Sequence, residues 1–208
     1  MSKPVVYGAD YSVYVRIVRL ALEEKGIDYE LVPVDVFAED GIPGWYFEHH
    51  PFGRIPAFEH EGFRLHESGA IARYVDEAFD GPALQPVEAR ARARTNQIAG
   101  MLDAYGYRAM VWDVAVERLE KTTPDEALIA AGLGQAATVL RVLTSLKATG
   151  PWLLGEQLTL ADLHAAPIIG YFVKVDEGRK LLAEFADIQE WYARFAARPS
   201  FARTEKAD

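Results

Sequence analysis

Every β-rich run in this chain lies before Gly81-Pro82, and that one-sided distribution limits the fold more than any other feature. A sheet drawn from about eighty residues is small, and the later residues, rich in Ala, Arg, Leu and Glu, have only helices with which to cover their apolar faces. Two domains of different class are predicted: α/β over 1–80, a linker at 80–86, and an all-helical domain over 87–208. With 208 residues, half of them apolar, the chain is long enough to bury a core without metals or disulfides.

Val5-Val6-Tyr7 is a short strand closed by Gly8, and from Val15 the apolar residues fall at helical spacing (Val15, Val18, Leu22) until Gly26. Tyr29 to Val36 carries Val32, Val34 and Val36 on one face, and Pro33 within it places the strand at a sheet edge. Ile55 to Phe58, a turn at Glu61-Gly62 and Leu65 make a hairpin; Ser68 to Phe79 is a helix. This order, β-α-β and then β-β-α, is that of a thioredoxin-like half-domain. Beyond the linker, Glu88 to about Leu119 forms one long helix or two. Thr123-Pro-Asp-Glu126 reads as a capping box for a helix reaching about Ala148, and Leu158-Thr-Leu-Ala-Asp162 as a second. Pro167 is expected to kink the helix it lies in, and Ile188 to Arg198 is a last helix stopped by Pro199.

Twenty-two Lys and Arg oppose 31 Asp and Glu, and the net charge of −9 repels nucleic-acid phosphates and anionic lipid alike, so neither a nucleic-acid nor a membrane partner is expected. No apolar stretch reaches the ~18 residues of a membrane span, and Met1-Ser-Lys-Pro4 does not open a signal peptide, which points to the cytoplasm. Cysteine is absent, so any sulfur chemistry must come from a ligand. The five histidines have no zinc-ligand spacing, and no metal is expected. Gly132-Leu-Gly-Gln-Ala-Ala137 imitates a dinucleotide fingerprint but follows a helical segment where a strand is required, and reads as a helix bend. Arg90, Arg92 and Arg94 spread around a helix as on a solvated face, and neither Gly-x-Ser-x-Gly nor a Walker loop is present.

Three stretches carry chemistry. Ser12 stands between the first strand and the first helix, where an N-cap is the commonest role. Pro56 precedes a strand, where thioredoxin-like folds hold a cis proline that turns the preceding backbone towards a ligand. Glu67-Ser68 opens a helix whose free N–H groups attract a carboxylate. Together with Arg19-Leu-Ala-Leu-Glu-Glu-Lys-Gly26, Pro51-Phe-Gly-Arg-Ile-Pro-Ala-Phe58, Glu67-Ser-Gly-Ala-Ile71, Leu158-Thr-Leu-Ala-Asp-Leu163 and the Trp191 to Phe201 tail, these residues resemble the glutathione transferase superfamily over nearly the whole chain. The intervals from Gly8 to Ser12 and from Asp162 to Pro167 are nearest to its phi-like, serine-type group.

The resemblance implies a transferase that joins the glutathione thiolate to small, largely apolar electrophiles, with glutathione as co-substrate. It also implies a homodimer, with Phe52 among the contacts. Ser12 would stabilise the thiolate as a hydrogen-bond donor, with Tyr11 as the rival hydroxyl. Ile55 would pair with the cysteinyl backbone, Pro56 would hold that geometry, and Glu67 and Ser68 would meet the γ-glutamyl end. Arg54 stands where the pattern has glutamine, so its contact becomes ionic. The His and Lys that hold the glycine carboxylate align with Gly41 and Ile42, leaving Arg16, Arg54, His49 or His50 as substitutes. The acceptor would meet Tyr11, the Trp45 to Phe47 loop, Tyr105, Tyr107, Met110 and Trp112, although core packing is the ordinary role of each aromatic. A glutathione-dependent lyase, isomerase or dehalogenase, or a non-catalytic ligand-binding protein of the same fold, are the alternatives.

Overall fold

Strand β1 (Val5–Gly8) pairs in parallel with β2 (Glu30–Pro33) on one side and antiparallel with β3 (Ala57–His60) on the other, and β3 pairs antiparallel with β4 (Phe63–His66). The computed structural model describes residues 2–206 and divides into two units: the first 84 residues with the segment from Pro199 onward, and Gln85–Arg198. The sheet order β2-β1-β3-β4 leaves β2 at an edge, as Pro33 requires. β2 is shorter than the valine alternation predicts, because β1 offers it only four partners, Val5 to Gly8 against Glu30 to Pro33.

Along β1 successive side chains point to opposite faces. Val6 is fully buried, whereas Tyr7 packs with Ile42 and Ile55 against a small core of Val34, Tyr46 and Ala57. Helices α1 (Val13–Lys25) and α2 (Ser68–Ala78) pack against each other, and their stripes of Val15, Val18, Leu22, Ile71 and Val75 are fully buried. Burial of each such side chain contributes about 1.5–3 kcal/mol.

The chain end departs from the expected boundary at 208, since α9 (Pro199–Arg203) belongs to the α/β unit. A helix end leaves carbonyls without intrahelical partners, and α1 supplies the donors. The Arg16 guanidinium donates to the Phe201 carbonyl at 2.7 Å and lies 3.7 Å over its ring, while Arg19 donates to the Arg203 and Thr204 carbonyls, each at 3.2 Å.

In the helical unit, α3 (Ala89–Met101) is capped by the Glu88 carboxylate, which accepts from the Arg90 and Ala91 N–H groups at 2.9 and 2.8 Å. The chain continues without a break through two wide π-helical stretches, Leu102–Gly106 and Arg108–Val116, into α4 (Glu117–Glu120), the first of the two predicted forms, one long helix. The cap of α5 (Glu126–Leu146) is Asp125, not Thr123: its carboxylate accepts from Ala127 and Leu128. α5 runs unbroken through Gly132, the position read as a helix bend. That glycine marks close packing instead, since a Cβ there would lie 2.9 Å from Val114 Cγ2 and 3.1 Å from the Ala109 carbonyl oxygen.

Helix α6 (Leu160–Phe172) opens with the predicted capping box and includes Pro167. Fully buried Asp162 accepts from the Leu153 N–H and Trp191 Nε1–H on one oxygen, at 2.8 and 2.7 Å. Its other oxygen accepts from the Thr159 N–H and hydroxyl, at 2.8 and 2.9 Å. Burial pushes its pKa up and these four donors pull it back. Two helices complete the unit: α7 (Asp176–Ala183), which apolar periodicity did not single out, and α8 (Ala186–Ala196).

Candidate active site

The strand register decides which parts of the chain meet. Tyr7 pairs with Ala57, so Gly8 and the loop to Ser12 leave the sheet at the end where Ile55 and Pro56 enter it. Ala57 pairs with His66, which puts Glu67 and Ser68 at that same end. The N-termini of α1 and α2, each a positive dipole end, therefore start from the same end of the sheet. Gly8 permits this closeness: a Cβ there would meet Val15 Cγ2 at 2.4 Å and Ile55 Cβ at 3.4 Å.

Ser12 is the N-cap of α1, and its Oγ accepts from the Val15 N–H at 3.3 Å while its own N–H donates to the Ala9 carbonyl at 3.1 Å. Capping uses the oxygen as an acceptor and leaves the hydroxyl proton to donate. The structural role and the donor role are thus compatible on one side chain. Tyr11 differs: its hydroxyl donates to Asp35 Oδ1 at 2.7 Å, and burial together with this anionic acceptor holds its pKa well above the usual phenol value. A phenol already committed to a carboxylate is a poor donor to a second anion.

The Ile55–Pro56 bond is cis, and Ile55 lies outside the ladder, whose pairing with β1 ends at Ala57. The Tyr46 hydroxyl fixes the approach to this bond by donating to the Arg54 carbonyl at 2.6 Å. Nothing in the local sequence marks Tyr46 for that task; the contact depends on its burial beneath the sheet. Glu67 has φ of 70°, a strained backbone for a non-glycine residue, and makes no side-chain cap to α2, so the first N–H groups of α2 stay available to a carboxylate. Ser68 is buried at the helix start.

The cations near this edge are not equivalent. Arg16 is engaged with the C-terminal segment. His50 is buried, and burial lowers the pKa of both His49 and His50, keeping them neutral at pH 7. Arg54 is exposed. Gly41 is exposed and brings no side chain, and Ile42 packs under the sheet, so neither supplies a charge.

Of the acceptor candidates in the helical unit, Tyr105 is 58% exposed and lies on the first π-helical stretch, and Tyr107 and Trp112 are half-buried. Met110, expected as a contact, is fully buried in the core, where a small molecule does not reach it. In the α/β unit, Trp45 and Phe47 are exposed, while Tyr46 between them is enclosed. Among the described residues no group of three metal-ligating side chains occurs.

The family profile "Glutathione S-transferase, N-terminal domain" matches residues 6–83, and "Glutathione S-transferase, C-terminal domain" matches 102–199. Glutathione S-transferase F13 of Arabidopsis thaliana is 29% identical over 205 residues, spanning 95% of this chain and 93% of its own. Glutathione S-transferase 3 of Zea mays is 29% identical over 211 residues, spanning 100% and 95%. The crystal structure of poplar glutathione transferase F1 superposes with a TM-score of 0.85 at 26% identity, covering 98% of this chain and 97% of that one. The chain belongs to the glutathione S-transferase family, on its phi-like side.

Proposed function

We propose that the protein joins the sulfur of glutathione to small, largely apolar electrophiles, as a cytoplasmic detoxifying homodimer. The observation that carries the reading is the convergence, at one sheet end, of the Ser12 hydroxyl on the α1 N-terminus, the Ile55–Pro56 turn and the uncapped N-terminus of α2. A thiol near the cysteine value of ~8.5 is only a few per cent ionised at neutral pH. Lowering that pKa by about two units needs about 2.7 kcal/mol of preferential stabilisation of the anion. A hydroxyl donated to a charged acceptor supplies roughly 1.5–3 kcal/mol and a helix N-terminus roughly 0.3–1 more, so Ser12 at the head of α1 suffices.

In this reading the Ser12 hydroxyl donates to the thiolate and takes no proton from it, since among the described residues no His or Asp is bonded to Ser12. The Ile55 backbone pairs with the cysteinyl peptide, the Ser68 N–H and hydroxyl hold the γ-glutamyl carboxylate, and Glu67 meets its ammonium. Arg54 takes the glycine carboxylate, the role that Gly41 and Ile42 leave open. The sulfur then attacks the electrophilic carbon and the leaving group departs with its electron pair. Holding the two reactants together replaces a bimolecular encounter by a near-unimolecular one.

Titration calorimetry with glutathione and conjugation of a chloronitrobenzene test the reading. Submillimolar binding and turnover above the uncatalysed rate are expected, and no heat at millimolar glutathione would overturn it. Binding without turnover would favour the non-catalytic alternative.

A further inference from the structure

Asp35 plays no part in the chemistry above, yet it joins two parts of the chain 24 residues apart, one of them next to Ser12 in sequence. One of its carboxylate oxygens accepts both the Tyr11 hydroxyl, at 2.7 Å, and the Phe37 N–H, at 2.9 Å. The second bond closes a turn of Asp35 on its own backbone two residues later. The first fastens that turn to Tyr11, which immediately precedes Ser12. The Tyr11 and Phe37 rings then stand 6.0 Å apart and 34° from parallel. Phe37 is 64% exposed, so one face of this ring pair is open to solvent.

We infer that Asp35 is a positioning residue for the electrophile: through Tyr11 and the turn at Phe37 it holds two aromatic rings as a wall beside the Ser12 hydroxyl, suited to a flat aromatic acceptor. This rests on the transferase reading. An oriented aromatic face favours the encounter geometry of such a substrate, and a wall free to rotate loses that gain without touching the tripeptide. The Tyr11 bond remains in place at neutral pH, since that hydroxyl and then the Phe37 N–H hold the Asp35 carboxyl below its usual range.

The test is steady-state kinetics on the full-length protein with a chloronitrobenzene acceptor, varying each substrate in turn, for Asp35→Ala, Asp35→Asn, Tyr11→Phe and the Tyr11→Phe/Asp35→Ala double variant. Asp35→Ala should raise the acceptor KM about five- to tenfold, the effect of one lost hydrogen bond, and leave the glutathione KM and the apparent thiol pKa unchanged. Asp35→Asn keeps an acceptor oxygen and should stay close to wild type. The double variant should be no worse than Asp35→Ala alone, because both changes break one link. An equal rise in both KM values, an Asp35→Asn variant as impaired as Asp35→Ala, or multiplying effects in the double variant would each overturn the assignment. Failure of the transferase reading looks different: wild-type protein would not bind glutathione at all, which ends both.

Discussion

At the head of α1, the cap made by Ser12 and the proposed donation to a thiolate use different parts of one hydroxyl. The oxygen accepts from Val15 and the proton is left for an anion. Ser12→Ala should therefore raise the apparent thiol pKa by about one to two units and lower turnover at pH 6.5 about ten- to hundredfold, with a stability loss of about 1 kcal/mol from the missing cap. Because the thiolate is the reactive form, kcat/KM should climb with pH through that pKa and then level off. The variant's inflection should lie at higher pH, and a profile that coincides with wild type would remove Ser12 from the chemistry. Tyr11→Phe should leave the inflection in place, since its phenol is already bound to Asp35. Arg54 is the exposed cation at the cis-proline turn, and Arg54→Ala should raise the glutathione KM about tenfold with little change in kcat, the pattern of a lost ground-state contact. The boundary positions of Ser12, Pro56, Glu67 and Ser68 were legible in the chain because each carries its own local signal. Asp35 and Tyr46 were not, because their partners are supplied by distant segments.

Elements in the helical unit show how the same residue type meets opposite demands within one helix. In α5, Gly132 is pressed against the second π-helical stretch, whereas Gly134 faces open space. Gly132→Ala should destabilise the protein by about 1–2 kcal/mol, overpacking outweighing the gain in helix propensity. Gly134→Ala should stabilise it by about 0.5–1 kcal/mol, the propensity gain alone. Denaturant midpoints of the two variants should move in opposite directions, and a shared direction would contradict the packing described here. The capping box of α6 was readable from Thr159 and Asp162, but the extra donors from Leu153 and Trp191 were not. Both come from chain segments whose approach depends on the packed unit. Asp162→Ala would leave several buried donors unpaired, and a loss of about 3–5 kcal/mol is expected on urea unfolding. The π-helical course after Met101 likewise had no warning in composition, since its side chains suit an ordinary helix as well.

At the scale of the molecule, the division into two units was legible at one boundary and not at the other. The change at Gly81-Pro82 is a change of composition, and the units divide at Leu84–Gln85. The return of the chain at Pro199 is invisible to composition, because α9 is a helix following helices. What assigns it to the α/β unit is the pair of guanidinium groups on α1 that bind its last carbonyls. Deleting the chain from Pro199 onward should leave nearly buried Arg19 short of acceptors and cost about 3–5 kcal/mol, read as a lower midpoint in denaturant; an unchanged midpoint would show those bonds to be dispensable. By itself, the amino-acid order determined the element order of the sheet and its two flanking helices, the edge position of β2, the starts of α1, α2 and α6, and the residue types at the sheet end. Those depend on interactions within a few residues, which periodicity, proline and capping side chains report. Only the folded chain decided which hydroxyl stays available, which cation remains exposed and where the last helix packs. Those outcomes depend on partners between 24 and 188 residues apart, and separation along the chain carries no information about which of them meet.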